Sequence, residues 1–235
     1  MAAQVGAIPA NVAPAPSEVL AAGWRLTRSG ELAANIAISF QRAAIGFLIG
    51  GSLAFGFGLL NGVSRIGETL TDTTIQMIRN IPNLALIPLV ILWFGIEDTA
   101  RIFLVSLGVF FPIYVNTFHG IRTVDAQLVE MGRSYGMSHW DLFRRVILPG
   151  ALPSIFVGLR CALGIMWLTL IVAETIAANS GIGYMAMNAR EFMQIDVVVL
   201  AILLYALLGK LADSVARLLE RRMLQWHPAF QRGQG

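Results

Sequence analysis

Apolar residues run without a single charge from 43 to 64, a stretch long enough to cross a bilayer as one helix. About 20 residues at 1.5 Å each span roughly 30 Å of hydrocarbon. Four more apolar stretches follow, at 80–96, 102–118, 155–177 and 197–211. The stretch 80–96 is short and holds Pro82 and Pro88, which predicts a span that starts late or kinks at Pro88. Pro112 sits inside the next one, Arg160 and Glu174 interrupt the fourth, and Lys210 is placed to snorkel from the end of the last. Ahead of the first span, Ser17 is positioned to cap an amphipathic helix reaching Arg28, with Val19, Leu20 and Trp24 on one side, suited to a membrane surface. The pattern predicts an all-α, polytopic helical membrane protein with about five transmembrane helices. In the first span Gly46, Gly50, Ala54 and Gly58 recur every fourth residue and form a smooth face for a close helix neighbour, which Ser52 and Gly56 are expected to widen.

Composition supports that reading and removes others. Of 235 residues, 56% are hydrophobic and 13% charged, against about 25% charged in soluble domains. The net charge of +3 is almost wholly arginine, with Lys210 the one lysine. Its distribution fits loops beside anionic lipid, and no nucleic-acid partner is expected. Cys161 stands alone, so no internal disulfide forms. His119, His139 and His227 are not at ligand spacing, so no metal site is expected. No G-x-x-x-x-G-K-[ST] loop is present, and no catalytic constellation: Glu174 has no His, Asp or Ser partner at helical spacing. The first residues lack a basic n-region and a long apolar core and carry Pro9, Pro14 and Pro16, which reads as a flexible leader rather than a signal peptide. The expected organisation is a leader and short interfacial helix over 1–30, a transmembrane domain over 31–220, and a cytoplasmic tail over 221–235.

Five spans place the two termini on opposite sides. The segments 61–82, 119–152 and 217–235 hold ten basic residues, and the alternating segments 1–42, 97–101 and 178–196 hold five. The positive-inside rule puts the 119–152 loop and the C-terminus in the cytoplasm. That loop carries Glu130, Gly136 and then Val146-Ile147-Leu148-Pro149, in the spacing E-x5-G-x9-[VI]-x-L-P. Residues 125–131 read as helix, Gly136 permits a left-handed turn, and Ser138 is placed to cap a second short helix from His139 to about Val146. Pro149 and Pro153 are expected to interrupt the helical pattern before the fourth span. Tyr135, Met137 and Trp140 offer apolar contact area, and Arg133, Arg144 and Arg145 offer donors to acidic groups.

This spacing resembles the EAA loop of importer-type ABC permeases, the segment that docks into the ATPase subunit, although Met131-Gly132 stands where that family has two alanines. Over 17–230 the chain resembles the permeases of aliphatic-sulfonate importers, a pattern largely shared by taurine and nitrate/bicarbonate permeases. The resemblance is carried by 75–82 with 84–88, by 146–155, and by 173–176 with 179–184 and 187–191. It implies a type I ABC importer permease core with a cytoplasmic coupling loop in a bacterial inner membrane. It also implies a homodimer, two ATPase subunits that bind ATP and Mg, a substrate-binding protein, and no cofactor on this chain. Such permeases commonly have six spans, and the five read here lack the first. The coupling residues it points to are Glu130, Arg133, Tyr135, Gly136, Met137 and His139.

Polar groups at membrane depth are the candidates for a path or gate: Ser106, Tyr114, Asn116, Thr169, Glu174 and Asn179. Glu174 would repel an anion and fits a brace or gate at the outer turn better than a ligand. Arg160 is expected to anchor at the interface. The segment 179–196, with Gly181, Gly183 and several methionines, reads equally as a re-entrant gate and as a connecting helix. An ATP-independent carrier or channel is the main rival reading, though no inverted repeat is evident. An intramembrane enzyme and a non-transporting scaffold subunit are further alternatives.

Overall fold

The computed structural model describes residues 14–225, except for the side chain of Ala177. The expected leader at 1–13 and tail at 226–235 lie outside the described residues. Every regular element among the described residues is helical.

Helix α1 (Pro16–Arg28) opens on proline, whose missing N–H costs nothing at a first helical position. Ser17 is not its cap; the Glu18 carboxylate accepts the Ala15 N–H at 2.8 Å instead. Val19, Ala22 and Leu26 turn inward, whereas Leu20 and Trp24 are exposed, so the apolar side expected here is divided between two faces. Helix α2 (Glu31–Val63) is 33 residues long and begins well before 43. The extension is possible because Asn35, Ser39 and Arg42 are buried against partners rather than left in a loop. Its glycines seat residues of α5 (Asp98–Arg122): Gly46 faces Val105 and the Ile102 carbonyl, Gly58 faces Thr117, and a Cβ on Gly50 would strike the backbone of Ser106. Ser52 and Gly56 do not widen this face; both are exposed.

Ser64 caps α3 (Arg65–Arg79), its hydroxyl accepting the Gly67 N–H at 3.2 Å. A short 3-10 turn (Asn83–Leu86) and α4 (Ile87–Phe94) follow. The path breaks at 80–82, not at Pro88. Pro82 disfavours helix at Ile81, while Pro88 occupies the first turn of α4, where no hydrogen bond is lost. Among the described residues four helices are long and apolar enough to cross a membrane, or five if α3 with the 83–94 segment counts as one broken span.

Helix α6 (Ala126–Ser134), α7 (His139–Leu142) and a π turn (Phe143–Ile147) lead into α8 (Leu148–Ala177). The expected interruption at Pro149 and Pro153 is absent. The π turn widens the backbone ahead of Pro149, with the Leu148 N–H reaching the Phe143 carbonyl, and helix continues through both prolines. The last helices are α9 (Ile182–Glu191) and α10 (Ile195–Met223). Between them Met193 adopts φ 57°, a left-handed conformation that costs a non-glycine residue about 1–2 kcal/mol.

The chain forms two compact units. Among the described residues, one comprises 14–46 with Asn83–Val105 and Met166–Leu211; the other comprises Phe47–Pro82, Ser106–Ile165 and 212–225. The core of the first packs Ile87, Val90, Ala100, Leu104 and Ala173, flanked by the Phe94 and Phe103 rings 5.1 Å apart. In the second, Phe110, Tyr114 and Phe118 stack in a row with centroids 5.9 and 6.1 Å apart.

Candidate functional site

The segment 125–147 lies in the second unit and is ordered almost entirely by local bonds. Asp125 caps α6 by accepting the Gln127 N–H at 2.9 Å. Gly136 takes φ +75°, and an added Cβ would meet nothing within 4 Å, so the turn itself, not crowding, requires glycine. Ser138 caps α7: its oxygen accepts the Asp141 N–H at 3.1 Å and its hydroxyl donates to Asp141 Oδ2 at 2.7 Å. Gly132 explains the departure from paired alanines. It is buried, and a Cβ there would come within 2.6 Å of Leu142. The two short helices therefore pack at glycine distance.

This packing leaves the outward residues uncovered. Tyr135 is 79% exposed and Trp140 66%, the latter ring stacked on Phe143 at 5.8 Å. Glu130, Arg133, Gly136 and His139 are exposed as well, and Met137 is half-buried with its sulfur toward Gly132. All six expected coupling residues thus fall on one short, self-capped segment. An exposed Tyr and Trp beside charged groups is the composition of a protein-binding patch.

The first unit holds a different arrangement around Glu174, near the end of α8 and 1% exposed. Its carboxylate accepts from Arg42 Nη1, the Ser39 and Tyr205 hydroxyls, and the Gly183 N–H, all at 2.8–2.9 Å. A carboxylate offers about four lone-pair sites, and four donors fill them. The Ser39 oxygen also accepts the Ile182 N–H at 2.9 Å, and Asn35 Oδ1 accepts the Gly181 N–H at 2.8 Å. Arg42, 3% exposed, donates further to the Ser180 carbonyl, to Ser180 Oγ and to Asp98, which also pairs with Arg101. Gly181 at φ +105° and Gly183 lie so close to the Glu174 side chain that a Cβ on either would collide with it. Two arginines and two carboxylates thus pin the 178–183 turn to α2, α5, α8 and α10.

Sequence reasoning singled out Glu174 beside this turn but missed its partners. Ser39 and Tyr205 lie on other helices, so no helical spacing reveals them. A signal for Arg42 existed: apart from Glu31 it is the one charged residue of α2. It was masked by assigning 1–42 to the outside of the membrane.

The remaining path candidates are divided between the two units. Tyr114 is fully buried and its hydroxyl is used twice, donating to Asp72 at 2.6 Å and accepting from Asn61 at 2.7 Å. Asn116 donates to the Pro112 carbonyl of its own helix at 2.8 Å. Tyr114 thus braces α5 against α2 and α3, whereas the Asn116 amide is spent within its own helix. Ser106 is half-buried on α5, Thr169 is buried on α8, and Asn179 is exposed in the turn after it. Arg160 pairs with Asp213 and Glu220 of α10 at 3.2 and 3.4 Å, two acids about two turns apart on that helix. Among the described residues no group of three or more His, Cys, Asp or Glu is placed to hold a metal ion.

Comparison with known proteins gives these sites a context. The chain is 66% identical over 230 residues to the putative aliphatic sulfonates transport permease protein of Escherichia coli, covering 98% of this chain and 88% of that one. The protein of the same description from Bacillus subtilis is 45% identical, covering 97% and 82%. The E. coli taurine transport system permease protein is 34% identical, covering 93% and 81%. Among solved structures, a chain of an amino acid ABC transporter superposes with a TM-score of 0.69 at 19% identity, covering 84% of this chain and 96% of that one, which shows a shared fold. The model of the binding-protein-dependent transport system inner membrane component matches residues 32–225. With nearly all of its helical region inside that match, the chain belongs to this family of multi-pass inner-membrane transport permeases.

Proposed function

We propose that this chain is the membrane permease of an ATP-driven importer for aliphatic sulfonates, acting as a homodimer beneath a substrate-binding protein and above two ATPase subunits. The observation that carries the reading is the 66% identity, over nearly the whole chain, to a protein described as an aliphatic sulfonates permease. Relatives described as taurine and nitrate permeases stand lower, at 34% and 31%. ATP and Mg belong to the partner ATPase; the chain binds no cofactor of its own.

In this reading the 125–149 loop, on the cytoplasmic side with the C-terminus, inserts into the ATPase. Glu130, Arg133, Tyr135, Gly136, Met137 and His139 make the contact. Its capped helices and the continuous helix from α7 through α8 support this role, because a rigid lever transmits closure of the ATPase dimer to the span. Glu174 holds the outer 178–183 turn, with Asn179 at its surface, as part of the gate. Ser106, Tyr114, Asn116 and Thr169 shape the helix packing around the path. The organisation follows as an interfacial helix before residue 30, a transmembrane domain over 31–220, and a short tail.

The test is reconstitution of the permease with its ATPase in lipid. ATP hydrolysis is measured with and without sulfonate-loaded binding protein, for the wild type and a Glu130→Ala, Gly136→Val double variant. Stimulation by a loaded alkanesulfonate, lost in the variant, is expected. ATP-independent uptake would overturn the importer reading, and stimulation by taurine or nitrate alone would reassign the substrate.

A further inference from the structure

We infer that a pocket between α1, α9 and the α9–α10 turn binds a zwitterionic phospholipid headgroup, its phosphate on Arg25 and its ammonium on Glu31. The cavity has a volume of about 510 Å³ and lies wholly within the first unit. That is within the usual range of ligand pockets, roughly 300–1,000 Å³. Asn188 and Gln194 add hydrogen-bonding groups to its wall, and Phe192 adds an apolar edge.

Charge selects the ligand class. Arg25 meets Asp196 only at 3.5 Å, in an exposed pair of little strength. Glu31 forms no ion pair among the described residues. A lone anion in the pocket would face Glu31, and a lone cation would face Arg25. A group carrying phosphate and ammonium a few ångströms apart answers both. The ammonium of an ethanolamine headgroup also donates hydrogen bonds to a carboxylate, which a quaternary choline cannot do.

The pocket's surroundings favour a lipid over a free zwitterion. Phe192 and Met193 project from its rim, Met193 75% exposed and held in a left-handed conformation that glycine or asparagine would adopt with less strain. An outward apolar side chain is thus kept at this turn despite the backbone. On the other flank α1 turns Leu20 and Trp24 away from the unit, and the Arg28 guanidinium lies 4.9 Å over the Trp24 ring. Trp paired with Arg beside apolar side chains is the pattern of a membrane–water interface, where acyl chains cover the apolar surface and headgroups reach the charges.

The experiment uses the permease co-purified with its ATPase and stripped of lipid in detergent. Thermal stabilisation is titrated with phosphatidylethanolamine, phosphatidylcholine, phosphatidylglycerol and soluble O-phosphoethanolamine. Phosphatidylethanolamine is expected to stabilise at the lowest concentration, and Arg25→Gln or Glu31→Gln to weaken its apparent affinity about tenfold without changing the lipid-free midpoint. Native mass spectrometry of the wild-type complex in mixed lipid gives a readout independent of the variants, with selective retention of phosphatidylethanolamine expected. Equal stabilisation by all three lipids, or indifference of both variants, would overturn the proposal. So would full stabilisation by O-phosphoethanolamine, which would make the ligand a soluble zwitterion. Variants that keep their lipid response but lose stimulation by the binding protein would instead mark a protein-docking surface.

Discussion

The turn held by Glu174 and the segment 125–147 are both polar stretches beside long apolar helices, yet they treat polar groups in opposite ways. Around Glu174 nearly every donor and acceptor finds a partner inside the fold, drawn from residues as far apart as Asn35 and Tyr205. In the segment 125–147 the backbone ends are capped by neighbours within three residues, and the large side chains are left outside. A buried carboxylate is costly unless its charge and lone pairs are all answered, so the first arrangement demands long-range structure and yields a rigid turn. Local capping demands none, and it leaves Tyr135 and Trp140 exposed.

Removing one half of the charge pair should break the comparison most severely. Arg42→Ala leaves Glu174 buried without its counter-charge and is expected to cost about 3–5 kcal/mol, read as a large loss of thermal stability in detergent. Glu174→Gln should lose less, because the amide oxygen still accepts hydrogen bonds. A wild-type melt for Arg42→Ala would mean the network does not hold the turn. Gly136→Val should cost about 1–2 kcal/mol locally through its positive φ and abolish co-purification with the ATPase while membrane insertion persists; intact coupling would remove the segment from that role. Ser138→Ala removes the α7 cap and should cost about 1 kcal/mol, visible as faster proteolysis within 135–145. Trp140→Ala sharpens the contrast from the other side. Its own stability should change by less than about 0.5 kcal/mol, while affinity for the ATPase falls at least about tenfold, measured by titration of the solubilised permease. A stability loss as large as that of Arg42→Ala would show Trp140 to be a core residue.

The uninterrupted apolar run at 43–64, the charge asymmetry and the E-x5-G spacing are legible because each is written in consecutive residues or at a fixed short interval. Membrane depth forces apolar side chains over a whole span, and a glycine at positive φ or a serine cap acts within four residues. All-helical class, approximate spans and the capped turn at Gly136 and Ser138 therefore follow from sequence alone. Span limits were less legible. Residues 31–42 join α2 because Arg42 is neutralised by Asp98 and Glu174, and 148–154 join α8 because a π turn precedes Pro149. No local pattern encodes either. Tertiary structure alone decided which groups meet Glu174, why Gly181 and Gly183 must lack side chains, and that Tyr114 braces helices instead of facing open space. The physical reason is that a buried charge is costly without partners, and most of those of Glu174 and Arg42 are supplied by other helices more than thirty residues away in the chain.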